Sequence, residues 1–278
     1  MPELPEVETI VRSLKFGGIT GESILNRQIK SADLFWQRTL AFSDAQEGFL
    51  PWLRSRTILD VSRRGKFIVM QISSKYLLIH LRMSGDLNLV DAQLPLGKHV
   101  RFSLDFTDGK RLVFSDTRKF GRIWLVDDAD IILKNLGVEP LSETLTADWL
   151  IEKFQKTNRM IKPVLLDQTL IAGLGNIYTD EALFQAGIHP QRRCKTISRA
   201  EARNLVTAIQ SVLQEGIRTN GASIDWVYRG GNFQNHFRVY QKTGQPCSIC
   251  GTIIEKITVG QRGTHYCPVC QPKENSKD

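Results

Sequence analysis

Residues 247–270 read CSICGTIIEKITVGQRGTHYCPVC. Cys247-Ser-Ile-Cys250 and Cys267-Pro-Val-Cys270 are two C-x-x-C pairs separated by 16 residues. Each pair is predicted to sit at a tight turn that aims two thiolates at one point, and four thiolates complete a tetrahedron around Zn2+. Disulfides or a redox pair are the other uses of such cysteines. Four sulfur ligands leave no open coordination position, so the single zinc is expected to be structural. A module this small cannot bury enough core to fold alone, and metal binding supplies the missing stability. Gly260-Gln261-Arg262-Gly263 lies between the pairs and is expected at a hairpin tip, where Arg262 would be braced as a phosphate ligand. Cys194, outside the set, reads as a plain thiol.

Around this stretch the chain has 278 residues, enough for two domains or one large domain with a small module. Hydrophobic residues make up 41% and charged residues 24%, the composition of a soluble globular protein. A formal net charge of +8 points to a polyanionic partner. No apolar run reaches the roughly 18 residues of a transmembrane helix. The first residues lack the cationic-then-apolar pattern of a secretory signal, so a cytoplasmic protein is expected.

Val7, Ile10, Val11 and Leu14 fall at i, i+3, i+4 and i+7, an amphipathic first helix that Gly17-Gly18 ends. From about Arg56 to Val126 the texture changes to strands, among them 66–72, 76–82 and 99–106, with Thr107-Asp108-Gly109 as a turn. Residues 1–130 are therefore expected to form a mainly antiparallel β-sandwich with a flanking helix. Residues 131–235 read as helical. Trp149, Leu150 and Phe154 share a face, a short helix follows Lys162-Pro163, and Asn176 to Gln185 forms another. Ser198-Arg-Ala-Glu201 is a capping box opening a longer helix that Thr219-Asn220-Gly221 stops. Gly221 to Gln234 reads as a loop. Residues 236–278 hold the zinc module, with a polar, frayed tail after Gln271. The fold class is α+β, multidomain.

The chain opens Met1-Pro2-Glu3-Leu4-Pro5-Glu6. Loss of Met1 would leave Pro2 as a free secondary amine beside the Glu3 carboxylate. An amine must be unprotonated to attack carbon. With a reference pKa near 8 against about 10.4 for lysine, a chain terminus is free base roughly 300 times more often at pH 7. The blander reading is that Pro-x-x-Pro-Glu only introduces a helix.

Other candidates are scattered. Ala172-Gly-Leu-Gly-Asn176 joins two helices, and its amides and the following helix N-terminus suit a phosphate. Ser115-Asp-Thr-Arg-Lys-Phe-Gly-Arg122 is a basic turn with an aromatic in its middle, able to wedge Arg118 and Phe120 into a base stack. His80-Leu-Arg-Met-Ser-Gly85 ends a strand with a second flexible apolar residue, Met83. Arg63-Arg64-Gly65-Lys66 precedes an apolar strand and, taken alone, is a solvated edge.

Together, Pro2–Thr9, His80–Gly85, Asp116–Gly121, Gly173–Tyr178 and the ribbon with Arg262-Gly-Thr-His-Tyr resemble bacterial formamidopyrimidine-DNA glycosylases over nearly the whole chain, in the family's order. The resemblance implies a β-sandwich, a helix–two-turn–helix domain and a zinc finger, with double-stranded DNA between the lobes. It implies excision of oxidised purines such as 8-oxoguanine and formamidopyrimidines in base excision repair, then cutting of the strand at the abasic site. Pro2 would be the nucleophile, Glu3 the proton donor, Lys66 the residue of β-elimination and Arg262 that of δ-elimination. His80, Lys162, Asn176 and Arg262 would clamp phosphates around the lesion, His99 and Arg118 would make further DNA contacts, and Met83, Arg118 and Phe120 would fill the gap left by the flipped nucleotide. A monomer associated with the nucleoid is implied. Thr117 replaces the usual Pro, Lys98-His99-Val100-Arg101 lacks a second His, and residues 222–233 depart from the commonest version. The rivals are an endonuclease VIII-like glycosylase for oxidised pyrimidines and a non-catalytic damaged-DNA-binding protein.

Overall fold

The computed structural model describes residues 1–223 and 230–273. The middle of the Gly221–Gln234 loop and the end of the expected frayed tail lie outside these residues. The chain divides into two compact units, one of residues 1–135 with 220–231, the other of 136–219 with 232–278.

The first unit opens with α1 (Leu4–Phe16), followed by β1 (Ile29–Leu34), β2 (Leu40–Ser43) and α2 (Phe49–Leu53). Seven strands come next: β3 (Ile58–Arg64), β4 (Phe67–Ile72), β5 (Lys75–His80), β6 (Gly85–Asp91), β7 (Val100–Phe106), β8 (Lys110–Asp116) and β9 (Arg122–Val126), before α3 (Asp130–Leu133). They form a four-stranded sheet, β1-β7-β8-β6, and a five-stranded sheet, β2-β9-β5-β4-β3. All neighbours are antiparallel except β2 and β9. One apolar cluster joins the helix face Val7, Ile10, Val11 and Leu14 with side chains of both sheets. Each such side chain contributes about 1.5–3 kcal/mol by burial. The sequence pattern missed β1, β2 and α2. The two strands lie at sheet edges with mostly half-buried or exposed side chains, so they carry no apolar alternation.

The second unit holds α4 (Ala147–Gln155), α5 (Ile161–Leu165), α6 (Asn176–Gln185) and α7 (Arg199–Arg218), then the hairpin β10 (Glu255–Val259) and β11 (Arg262–Tyr266). The Ser198–Glu201 capping box is present. Helix α5 begins at Ile161, ahead of Lys162-Pro163 rather than after it, because a proline is tolerated in a first turn where its missing amide has no partner to lose.

Helix α6 is buried along most of its length and organises this unit. Phe184 packs with Val239, Cys247, Ile254 and Cys267. The Glu181 carboxylate, almost wholly buried, accepts the amides of Arg238, Val239 and Tyr240 at 3.0, 3.0 and 2.8 Å. Burial pushes the Glu181 carboxyl above its ordinary range, and the three amides offset part of the effect. The chain leading into the zinc module is thereby bonded to the helix. Removing the acceptor would orphan buried donors at a cost on the order of 3 kcal/mol. Glu181→Ala should therefore lower Tm by roughly 6–12 °C in calorimetry. A shift under about 2 °C would mean that Glu181 is not the anchor.

Candidate active site

The N-terminal residues are fixed by a reciprocal cap. Glu3 is the N-cap of α1, and Glu3 and Glu6 form a capping box. Glu6 Oε2 accepts the Glu3 amide at 2.7 Å, while its Oε1 accepts the amide of Ala222 at 2.7 Å across 216 residues of sequence. Gly221 has φ +77°, and a Cβ there would lie 2.7 Å from Glu6 Oε1, so both backbone and space require glycine. Pro2, Glu3 and Glu6 are all buried, whereas Met1 is half exposed. A single buried carboxylate thus ties the Pro2-Glu3 segment to the root of the 221–231 loop.

Lys66 sits at the tip of the β3–β4 hairpin. Arg64 pairs with Phe67, leaving Gly65-Lys66 as a two-residue turn. The strand expected to start at Lys66 starts one residue later. Lys66 is nevertheless buried. Its hairpin is tied to α1, since Arg63 Nε donates to Glu8 Oε2 at 2.8 Å. Burial pushes the Glu8 carboxyl up, but bonds from Arg63 and Arg12 outweigh it and hold the group below its ordinary range. The helix that carries Pro2 and Glu3 and the hairpin that carries Lys66 therefore share an ion pair.

His80 pairs with Phe67 on the neighbouring strand, beside Lys66. Its Nδ1 accepts the Arg82 amide at 3.0 Å. An amide can only donate, so the ring proton must reside on Nε2. Burial, reinforced by the charges of Arg82 and Lys66, pushes its pKa down to about 3. His80 is a neutral N–H donor at physiological pH.

The two segments expected to wedge into a base stack share an anchor. Asp116, buried at the end of β8, accepts the Ser84 hydroxyl and the amides of Arg118 and Gly121, the amides at 3.1 and 2.7 Å. Its own amide donates to the His99 carbonyl at 2.9 Å. Met83 and Phe120 remain exposed, and the Arg118 guanidinium lies 5.1 Å from the Phe120 ring centroid. Arg82, Lys119 and Gln261 adopt left-handed backbone, each immediately before Met83, Phe120 or Arg262. A non-glycine residue held there costs on the order of 1 kcal/mol.

In the second unit, Gly260-Gln261 both have positive φ and join β10 to β11, the pattern of a type I′ turn. Arg262, exposed, is the first residue of β11. Asn176, the first residue of α6, donates from Nδ2 to the Gly263 carbonyl at 2.9 Å, and its Oδ1 is buried without a partner among the described residues. Lys162 departs from the phosphate contact expected of it. It is fully buried, and its ammonium donates to Asp180 Oδ1, Thr264 Oγ1 and the Gly263 carbonyl at 2.6, 2.8 and 3.1 Å. Those three acceptors match its three protons.

The four cysteine sulfurs lie within 4.8 Å of one another, with Cys247–Cys270, Cys250–Cys267 and Cys250–Cys270 at 3.8, 3.5 and 3.5 Å. Zn–S bonds of 2.3 Å in a tetrahedron place sulfurs about 3.8 Å apart, so the donor set fits structural zinc. Cys194 stays outside it, buried, its thiol pushed up to about 12 by burial.

Sequence reasoning missed Asp116, Asp180 and Glu181 as anchors.

Known proteins align with this arrangement. The family models for the formamidopyrimidine-DNA glycosylase N-terminal domain, its H2TH domain and the zinc finger found in FPG and IleRS match residues 1–123, 136–227 and 244–273. A formamidopyrimidine-DNA glycosylase of Shouchella clausii is 43% identical, covering 98% of this chain and all of that protein. A solved MutM in complex with DNA containing carbocyclic 8-oxo-G has TM-score 0.89 and 38% identity, covering 98% of this chain and 100% of that one. Wild-type Lactococcus lactis Fpg in complex with N7-benzyl-Fapy-dG DNA has TM-score 0.90, with the same identity and coverage.

The His80 ring gives a pH test. Between its ordinary pKa of 6.5 and about 3, the unfolded chain binds a proton that the folded chain refuses. Stability from this group is therefore complete above pH 6.5 and falls on acidification, by at most about 1.4 kcal/mol per pH unit. From pH 7 to 5, urea denaturation of the parent should lose about 2 kcal/mol more than His80→Gln does. Equal losses would mean that the ring titrates normally.

Proposed function

The chain belongs to the formamidopyrimidine-DNA glycosylase family, and from that membership we propose how its residues divide the work. It is a DNA glycosylase for oxidised purines in base excision repair, and AP lyase activity is part of the family function. The buried Pro2-Glu3 pair, clamped by Glu6 at the head of α1, carries the reading.

With Met1 removed, the Pro2 nitrogen attacks the sugar C1′ of the damaged nucleotide. The N–C1′ bond forms as the glycosidic bond breaks, and the base leaves with a proton. Glu3 supplies the proton that opens the sugar ring at O4′. A secondary amine then leaves an iminium with a permanent positive charge, an electron sink that acidifies C2′–H. Loss of that proton expels the 3′ phosphate, with Lys66 as the assisting amine. A second elimination expels the 5′ phosphate, with Arg262 assisting. The zinc braces the finger and takes no part in these steps.

The grip on DNA uses His80 as a neutral donor and His99, Arg118 and Asn176 on phosphates, Asn176 backed by the first-turn amides of α6. Flipping the nucleotide costs a few kcal/mol. Met83, Arg118 and Phe120 offset that cost by filling the gap. The functional modules divide near residues 130 and 235. Among the described residues no helix is long and apolar enough to cross a membrane. The protein works as a monomer in the cytoplasm, on the nucleoid.

Borohydride trapping tests the chemistry. Protein shown to start at Pro2 should form a covalent adduct on an 8-oxoguanine duplex faster than on a thymine glycol duplex. The reverse preference would move it to the pyrimidine-specific sister class, and no adduct with either would leave a damage-binding protein. An N-terminal tag should abolish trapping, since it buries the amine in an amide. Full activity in a tagged protein would remove Pro2 as the nucleophile. Cys267→Ser should release zinc and weaken DNA binding, and unchanged affinity in zinc-free protein would overturn the finger's part.

A further inference from the structure

A fully buried lysine needs a reason to be a lysine. Lys162 on α5 spans three elements: its ammonium holds Asp180 on α6, then the Gly263 carbonyl and the Thr264 hydroxyl on β11. Thr264 Oγ1 donates in turn to the Arg262 carbonyl at 3.0 Å, so a chain of bonds runs from the ammonium to the backbone of Arg262. The same strand is held at two further points. Asn176 Nδ2 donates to Gly263, and the second oxygen of Asp180 accepts the His265 amide at 2.9 Å. The turn before it is wedged against the neighbouring proline, where a Cβ on Gly260 would meet Pro163 Cγ at 2.9 Å. Arg262 itself is exposed, and the rigidity of its starting point comes from these inward bonds.

We propose that Lys162 is a positioning residue for Arg262, locking the start of β11 to the α5–α6 scaffold and so aiming the guanidinium at its phosphate. This rests on the reading that Arg262 assists the second elimination. An aimed guanidinium is already ordered when the abasic product forms, whereas a loose one must be ordered at each turnover. With a loose guanidinium the β-elimination product leaves before the second cut.

The test uses full-length zinc-loaded protein with Met1 removed, on a duplex with a preformed abasic site. Lys162→Met should lower the ratio of δ- to β-elimination product at least tenfold, while borohydride trapping falls no more than about threefold. Arg262→Ala should produce the same product shift. On an uncleavable tetrahydrofuran duplex, the slope of log K against log salt should match the parent, because Lys162 neutralises no phosphate. A slope lowered by about 0.9 would make it a phosphate ligand and overturn the proposal. Equal losses of trapping and of both products would make Lys162 merely structural and also overturn it. Thr264→Val, which deletes one hydroxyl and keeps the side-chain volume, should shift the product ratio in the same direction. It decides the matter if Lys162→Met fails to hold zinc or to fold, and an unchanged ratio in Thr264→Val would then count against the proposal. An unchanged ratio in Arg262→Ala would remove the role of Arg262 itself. An unchanged ratio in Lys162→Met alone would remove only the positioning.

Discussion

A carboxylate taken out of water must find donors, and this molecule uses that requirement to hold several segments that carry candidate chemistry. Glu6 collects the amides of Glu3 and Ala222, Asp116 those of Arg118 and Gly121, and Asp180 that of His265. In each case the acid sits on or at the end of a regular element; the donors are the helix cap Glu3, the loop residues Ala222, Arg118 and Gly121, and His265 of strand β11. The alternative, an unpaired buried charge, costs several kcal/mol, so the loop cannot leave without a penalty the fold resists. Glu181 applies the same logic to the chain entering the zinc module.

Much of this arrangement could be read directly from residue order, where the chemistry is local. The two C-x-x-C pairs, the α1 periodicity and the Ser198–Glu201 cap each act over a few residues, so their meaning is complete in the string. Edge strands β1 and β2 were not legible, because a strand with little buried surface leaves no apolar signature. Lys162 was misplaced for a different reason. A lysine in a nucleic-acid-binding sequence looks like a phosphate ligand until its partners, 18 and about a hundred residues away, are in place. Asp180 and Glu181 were invisible on the same ground, since Asp180 meets His265 at a separation of 85 residues and Glu181 meets Arg238 at 57.

The zinc module illustrates how a small element gains precision. Its sulfurs fix the cysteine turns, but the direction of the hairpin is set from outside the metal, by α5 and α6. Gln271 adds a further bond, donating to the Ile188 carbonyl at 2.9 Å while accepting the Cys267 amide at 3.0 Å. The metal makes the module fold, and the helices decide where it points.

Under the wedge roles proposed for Met83 and Phe120, the left-handed residues beside them bear on how a rare lesion would be found. A protein that slides along DNA interrogates many sound base pairs for each damaged one. If its wedges had to be ordered at every step, the entropy of ordering would be charged to each base pair visited. Because Arg82 and Lys119 are forced into their conformation when the chain folds, that cost is settled once per protein lifetime.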